Sequence, residues 1–396
     1  MVILNRNKLK SKLIETYKKT ILSNYLLILI ILFFSVFTNT TAQNNKNKEL
    51  SKELTKDSLV IEKVNNYLEE FLALENFSGS ILVARDSTIL IDKSIGMANY
   101  EHLVPNNSKT KYRIASLSKA FAAVLILQQV EKGKINLEGK IRDYLPFYPK
   151  KTGNEITIHQ LLTHSAGLQH YEGVKDFYFK YGQVQFYSKD YLKVFWNLPL
   201  LYEPGTSHSY SSFGYFILGC ILQEVTGKSY STLLKENILD PLGLQNTGVD
   251  DHLTIVQDRA SGYIYNNYVL MNSRYYDMSK SMATGDLYST TRDLNKWSFA
   301  LNTNLLLSEK YRKLLFNPFI NGYGYGWSIK KFVSKDTNKT KEELIYAVHS
   351  GSTRGFESYL NKFLTYGYTI VILSNQAGAK VGKINEEITK IIIGDY

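Results

Sequence analysis

Apolar strand-like runs stand at both ends of this chain, and a long helical stretch lies between them. Near the start, GSILVA (79–84) and TILIDKSIGMA (88–98) are separated only by RDS, the pattern of a β-hairpin. Near the end, ELIYAVHS (343–350), FESYLNKF (356–363) and YTIVILSN (368–375) read as consecutive antiparallel strands, and AKVGKINEEITKIII (379–393) as a closing helix. Between them, SKAFAAVLILQQVEKG (118–133), TIHQLLTHSAG (157–167), YFILGCILQEVTG (215–227) and STLLKENILDPLG (231–243) are helical segments closed by Gly or Pro. Strands with apolar sides need cover, so the pattern predicts an α/β fold. One antiparallel sheet is built from the N- and C-terminal parts, helices flank it, and a mostly helical subdomain is inserted over roughly 116–285. The boundary between sheet and insertion is a natural place for a cleft.

The first 57 residues stand apart from this pattern. Residues 1–20 hold six basic residues against one acidic, YLLILIILFFSVF (25–37) is uncharged and apolar, and small residues lead up to Gln43. That layout is a secretory signal over 1–42, cut after Ala42; the alternative is an uncleaved membrane anchor. No cysteine follows the run, which argues against a lipid anchor. QNNKNKELSKELTKD (43–57) reads as a polar tether, and the folded domain spans 58–396, beginning with Val60, Val64, Tyr67, Leu68 and Phe71 at helical spacing. The chain is thus expected outside the cytoplasm, periplasmic or secreted, with membrane contact only if the leader is retained.

Without the leader's charges the formal +11 falls to +6. That mild excess suits anionic polymers and solvated surface equally well, and no basic run is dense enough for nucleic acid. The sole cysteine, Cys220, lies in an apolar segment and reads as core packing, so no internal disulfide can form.

RIASLSKAF (113–121) puts Ser116 and Lys119 three residues apart at a helix start, on one face. One reading is a helix cap followed by a solvated lysine. The other is a nucleophile and its base, since a serine hydroxyl needs a neighbour to take its proton and a buried lysine can be neutral enough to do so. Two later stretches add candidates. In EPGTSHSYSSFGY (203–215), an extended backbone would put Tyr210 and Ser212 on one side. In HSGSTRGF (349–356), His349 ends a strand, and glycines let backbone approach a ligand.

These three stretches, in this order, resemble the serine β-lactamase and penicillin-binding family, class C-like branch, which includes D-Ala-D-Ala carboxypeptidases, D-aminopeptidases and esterases. The family pattern S-x-x-K, Y-x-N, K-T-G or H-x-G reads here as Ser116-Leu-Ser-Lys119, Tyr210-Ser-Ser212 and His349-Ser-Gly351. ITIHQLLTHSAGL, ILDPLGLQNTG, MATGDLYSTTRDLNKW and YTIVILSNQ add to the likeness, which runs from about residue 60 to the end. The resemblance implies that Ser116 is acylated, Lys119 accepts its proton, and Tyr210 passes the proton to the leaving group. It implies that His349 faces Tyr210 across the cleft and that the N–H groups of Ser116 and Ser352 form an oxyanion hole. Ser212, Ser350, Gly351 and Ser352 are the implied substrate contacts. The implied partner is a small peptide, ester or β-lactam, or peptidoglycan itself; no metal or organic cofactor is implied. His159 and His164, five apart on a helix, are badly placed as metal ligands.

Two positions depart from the family pattern. Ser212 stands where Asn is usual, and His349 where β-lactamases of this branch carry lysine. Both weaken the grip expected on a β-lactam. The expectation is therefore a serine hydrolase of D-amino-acid peptides or small esters, with a β-lactamase, or a penicillin-binding sensor that acylates without turnover, as the alternatives.

Overall fold

Strands from the two ends of the chain join in one six-stranded antiparallel sheet. In the computed structural model, residues 55–333 and 343–394 are described, with Lys12, Glu15 and residues 17–19. Most of the expected signal segment and of the tether lies outside these residues. By their contacts, Met1–Asn65 and Asn66–Gly394 form two units. A helix, α1 (55–74), starts three residues earlier than the helical pattern suggested; Val60, Val64, Leu68 and Phe71 are its buried apolar positions. Among the described residues, no helix is long and apolar enough to cross a membrane.

The strands are β1 (Gly79–Arg85), β2 (Thr88–Ile95), β3 (Ser328–Val333), β4 (Glu343–Thr353), β5 (Phe356–Phe363) and β6 (Tyr368–Ser374). Their order is β3-β4-β5-β6-β1-β2, so the chain's two ends meet where β6 pairs with β1. β1 and β6 are adjacent interior strands, buried on both faces, which is why they read as unbroken apolar runs. The register sets Leu82 opposite Val371 on one face and Ile81 opposite Ile372 on the other. The edge strand β3, SIKKFV, escaped the sequence reading because its two adjacent lysines interrupt any apolar alternation; such charges also blunt a sheet edge. The second run of the N-terminal hairpin is not one strand but two. It breaks at Gly96, whose φ of +72° only glycine adopts freely, and resumes as Met97–Asn99.

Among the helices are α2 (Ser118–Glu131), α3 (Ile158–Leu162), α4 (Ser212–Thr226), α5 (Thr291–Ala300) and α6 (Val381–Gly394). α6 covers one sheet face with Ile384, Ile388 and Ile392 buried. The other face, with Leu82, Leu360, Val371 and Leu373, joins a single core with α2, α4 and α5. α2 is buried almost all round, as its apolar composition requires, and Phe121 stacks on Trp297 of α5 at 4.0 Å. The inserted region is mostly helical as expected. It also contains a small hairpin, Tyr263–Asn266 with Val269–Asn272, and a three-stranded patch in which Leu287–Ser289 pairs with both Tyr112–Arg113 and Gly248–Val249. This patch fixes the backbone just ahead of Ser116.

Candidate active site

Ser116 does not lie in α2 itself. It occupies a short 3₁₀ turn, Ala115–Leu117, immediately before it. Ala115 holds φ +47°, a conformation costly for a residue with a Cβ and one that sequence gave no sign of. The turn is held from several sides. Ser118 Oγ donates to the Ala115 carbonyl (2.8 Å) and accepts from Leu287 N–H (3.2 Å). Ser358 Oγ of β5 donates to the Ile114 carbonyl (2.7 Å). β4 passes so close that a Cβ on Gly351 would stand 2.5 Å from the Ile114 oxygen and 2.9 Å from the Ser116 amide nitrogen. Glycine at 351 is therefore a requirement of the approach between sheet and turn.

Lys119 and Tyr210 converge on the Ser116 hydroxyl. Lys119 Nζ donates to Ser116 Oγ (3.2 Å) and to the Thr284 carbonyl (2.8 Å), and lies 4.9 Å from the centre of the Tyr210 ring. Tyr210 O–H donates to Ser116 Oγ at 2.9 Å. Lys119 is fully buried, and burial lowers its pKa to about 7, with Asp286 partly opposing the shift. Asp286 is buried too, and burial pushes its carboxyl up to about 7. Near neutral pH a neutral amine is thus within reach of the serine proton. Tyr210 shifts the other way: burial raises its pKa, so it stays a neutral phenol able to donate and relay. Of the two neighbours, Lys119 is the one electrostatics prepares as a base.

His349 sits with its ring centre 6.3 Å from that of Tyr210, but neither ring nitrogen is turned to it. Nδ1–H donates to the Ser350 carbonyl (2.7 Å), which leaves Nε2 to accept from Tyr323 O–H (3.0 Å). Burial, reinforced by the charge of Lys119, lowers its pKa to about 4. His349 is therefore neutral over the physiological range and offers a substrate no charge. His164 is also spoken for: its Nδ1 accepts from Ser211 N–H (3.2 Å), and its ring packs 4.3 Å from Tyr210. His159 Nδ1 lies 2.8 Å from Tyr325 O–H. The two share no site.

Ser116, Tyr210, Ser212 and Ser352 line one cleft of about 680 Å³, together with His170, Tyr171, Tyr178 and Tyr276, which sequence reasoning missed. Ser211, between Tyr210 and Ser212, turns inward, its hydroxyl donating to the Gln169 carbonyl (2.7 Å). Ser212 opens α4, and its N–H donates to His170 Nδ1 at 3.3 Å. Ser352 Oγ donates to Glu357 (2.9 Å). Two of the expected substrate contacts do not line the cleft: Ser350 is exposed on β4 outside it, and Gly351 contributes only its lack of a side chain.

A family model described as Beta-lactamase matches residues 64–391. The chain belongs to the β-lactamase family. PbpX of Bacillus subtilis (strain 168) is 30% identical over 362 residues, which cover 90% of this chain and 85% of that protein. A teichoic acid D-alanine hydrolase of Staphylococcus aureus is 29% identical over 262 residues, 66% of this chain and 62% of the hydrolase, so the match spans less than two thirds of that relative. Among solved structures, a penicillin binding protein from Bacillus halodurans superimposes with a TM-score of 0.70 at 26% identity, over 83% of this chain and 98% of that one. The fold is that of the β-lactamase and transpeptidase group, whose members are serine hydrolases and penicillin-binding proteins. Within the β-lactamase family pattern, this chain keeps the serine, lysine and tyrosine and replaces the asparagine with Ser212.

The contact at Gly351 can be tested directly. Gly351→Ala is expected to displace the Ser116 turn and slow acylation by roughly 10²-fold, the scale of a 1 Å misplacement. Folding should be retained, judged by circular dichroism, while stopped-flow acylation reads the loss. An unchanged rate would show that the strand does not fix the serine.

Proposed function

We propose that this protein is an exported serine hydrolase that acylates Ser116 with D-amino-acid peptides or small esters and releases the acyl group to water. The observation that carries the reading is the hydroxyl of Ser116 held between a buried lysine with a pKa of about 7 and a protonated tyrosine. In this mechanism neutral Lys119 takes the Ser116 proton as Oγ bonds to the acyl carbon. The tetrahedral oxyanion is received by the N–H groups of Ser116 and Ser352. The proton then passes through the Tyr210 hydroxyl to the departing amine or alkoxide, whose bond to the acyl carbon breaks. Water enters by the reverse relay and frees the acid.

The substrate preference follows from what is missing near the nucleophile. Neutral His349 supplies no charge for a β-lactam carboxylate, and Ser212 is shorter than a carboxamide, which favours peptides and esters over β-lactam turnover. The likeness to a hydrolase named for D-alanine supports a D-alanyl acyl group.

A phosphonate or β-lactam label is expected on the peptide containing Ser116 by mass spectrometry, and Lys119→Ala is expected to slow acylation by at least ~10²-fold. Label on another residue, or a near-normal rate in folded Lys119→Ala protein, would overturn the mechanism.

Acylation should also carry a particular pH dependence. Only the neutral amine can accept the proton, so the rate is expected to rise with pH up to about 7 and flatten above it. His349, with a pKa of about 4, adds no second limb between pH 5 and 8. Pre-steady-state acylation across that range reads both.

Export rests on the charged start, the apolar run and the small residues before Gln43. N-terminal sequencing of the exported protein is expected to begin at Gln43; an intact Met1 in the membrane fraction would mean a retained anchor.

A further inference from the structure

Tyr210 holds its hydroxyl 2.9 Å from Ser116 Oγ, yet no helix or strand carries it. Residues 201–211 form neither, and α4 begins only at Ser212. Such a segment has no ladder of its own to fix a side chain, so its backbone N–H groups need other partners. Several of those partners come from one neighbouring stretch, residues 164–170. Leu201 N–H donates to the Gly167 carbonyl (2.8 Å), Gly205 N–H to the Ser165 carbonyl (2.8 Å) and Ser209 N–H to the His164 carbonyl (2.9 Å). The two stretches lie so close that a Cβ on Gly167 would stand 2.4 Å from the Tyr202 oxygen.

On passing Tyr210 the acceptors change from carbonyls to imidazoles. His164 brackets the tyrosine: its carbonyl accepts from Ser209, the residue before, and its Nδ1 from Ser211, the residue after (3.2 Å). It does so at φ +55°, a left-handed conformation unfavourable for a residue with a Cβ. His170 Nδ1 then accepts from Ser212 N–H (3.3 Å), one of the N–H groups that a helix leaves unpaired at its start. Ser211, in the N-cap position of α4, makes no side-chain cap; its hydroxyl is turned to the Gln169 carbonyl, and His170 caps the helix from outside. Both rings also pack on the phenol, with 4.3 and 5.7 Å between ring centres.

An N–H pointing at Nδ1 fixes the tautomer, with the lone pair at Nδ1 and the proton at Nε2. In His164 that Nε2 is buried and makes no hydrogen bond among the described residues. The ring thus forgoes a bond at one nitrogen and keeps the one that holds Ser211. Burial, with the charge of Lys119 next in effect, keeps the His164 pKa well below the usual histidine range, so the acceptor persists at neutral pH.

We infer that His164 and His170 are positioning residues for Tyr210, each holding a backbone N–H through an unprotonated Nδ1 so that the phenol stays on the Ser116 hydroxyl. The inference rests on the reading of Tyr210 as the proton relay to an acylated Ser116. Neither ring transfers a proton in this role; both act through the tyrosine.

Two substitutions of His164 separate the acceptor from the ring. His164→Asn keeps an acceptor near the place of Nδ1, and His164→Phe keeps a ring without one. In the full chain, His164→Phe is expected to slow acylation of Ser116 by roughly 10²-fold, the scale of a 1 Å misplacement, and His164→Asn to recover at least ~10-fold of that. The loss should also depend on the tyrosine hydroxyl. In a Tyr210→Phe background, His164→Phe and His170→Phe are each expected to change the rate by less than ~2-fold, because residues acting as one unit are not additive. Undiminished losses in that background, or His164→Asn no faster than His164→Phe, would overturn the inference. Histidine-selective nitrogen NMR of the unsubstituted chain reads the tautomers without turnover. Both rings are expected to carry their proton on Nε2 at neutral pH, and a proton on Nδ1 of either would overturn the inference. A chain that shows these tautomers but is never acylated at Ser116 would count against the hydrolase reading and sustain the positioning of Tyr210.

Discussion

A lysine buried to zero exposure without a carboxylate in hydrogen-bonding contact is the interaction on which the site depends. Removing an ammonium from water costs several kcal/mol, and the protein lowers that cost by making the neutral amine accessible. The same burial that makes Lys119 expensive makes it a base. The surrounding scaffold keeps it there. α2 is buried on nearly every side, the Thr284 carbonyl accepts one Nζ proton, and the faces of Tyr210 and Tyr215 accept the remaining positive character. A carboxylate hydrogen-bonded to Nζ would stabilise the charge and remove the base; Asp286, itself pushed toward neutrality by burial, stops short of that.

Ser116 is positioned by a joint between parts of the chain that lie far apart in sequence. The turn carrying Ser116 is reached by Ser358 from β5, by the backbone of β4 at Gly351 and by Leu287 from the small three-stranded patch. Each contact comes from a strand, and strands in a paired ladder move little. The turn itself, with Ala115 at positive φ, is a conformation that local preference would not select; it persists because these contacts over-determine it.

Local features of the fold and site were legible in the sequence for a definite reason. The interior strands β1 and β6 announce themselves as apolar runs, and Ser116 and Lys119 are separated by one helical turn, so both signals survive without knowledge of the fold. What was not legible depends on residues brought together across the chain. Nothing in MATGDL marks the Thr284 carbonyl as a lysine acceptor. The motif at His349 suggests a ring turned toward Tyr210, yet its nitrogens go to Tyr323 and to the carbonyl of Ser350 next to it. Strand β3 was hidden by its lysines, which belong to an edge rather than a core. Arg113, Arg259, Arg274 and Arg354 are solitary in sequence, so no basic run pointed to a charged surface.

Those arginines also explain how charge is distributed over the site. Around Ser116, burial strips charge away: His349 is neutral, Tyr210 stays protonated and Lys119 is poised to lose its proton. On the same surface stand four arginines: Arg274 and Arg354 line the cleft that holds Ser116, and with Arg113 and Arg259 they line a groove of about 360 Å³ that continues from it. A permanent positive charge against Lys119 would lower its pKa further; Nζ instead meets the Ser116 hydroxyl and the Thr284 carbonyl, and the arginines stand in the wall shared by cleft and groove. Asp250, buried behind Arg113 and Arg259, serves the same separation, since it anchors two guanidiniums from the rear and leaves their outer donors toward solvent. A buried amine of lowered pKa and fixed cations can then coexist on one surface, each in the dielectric it needs.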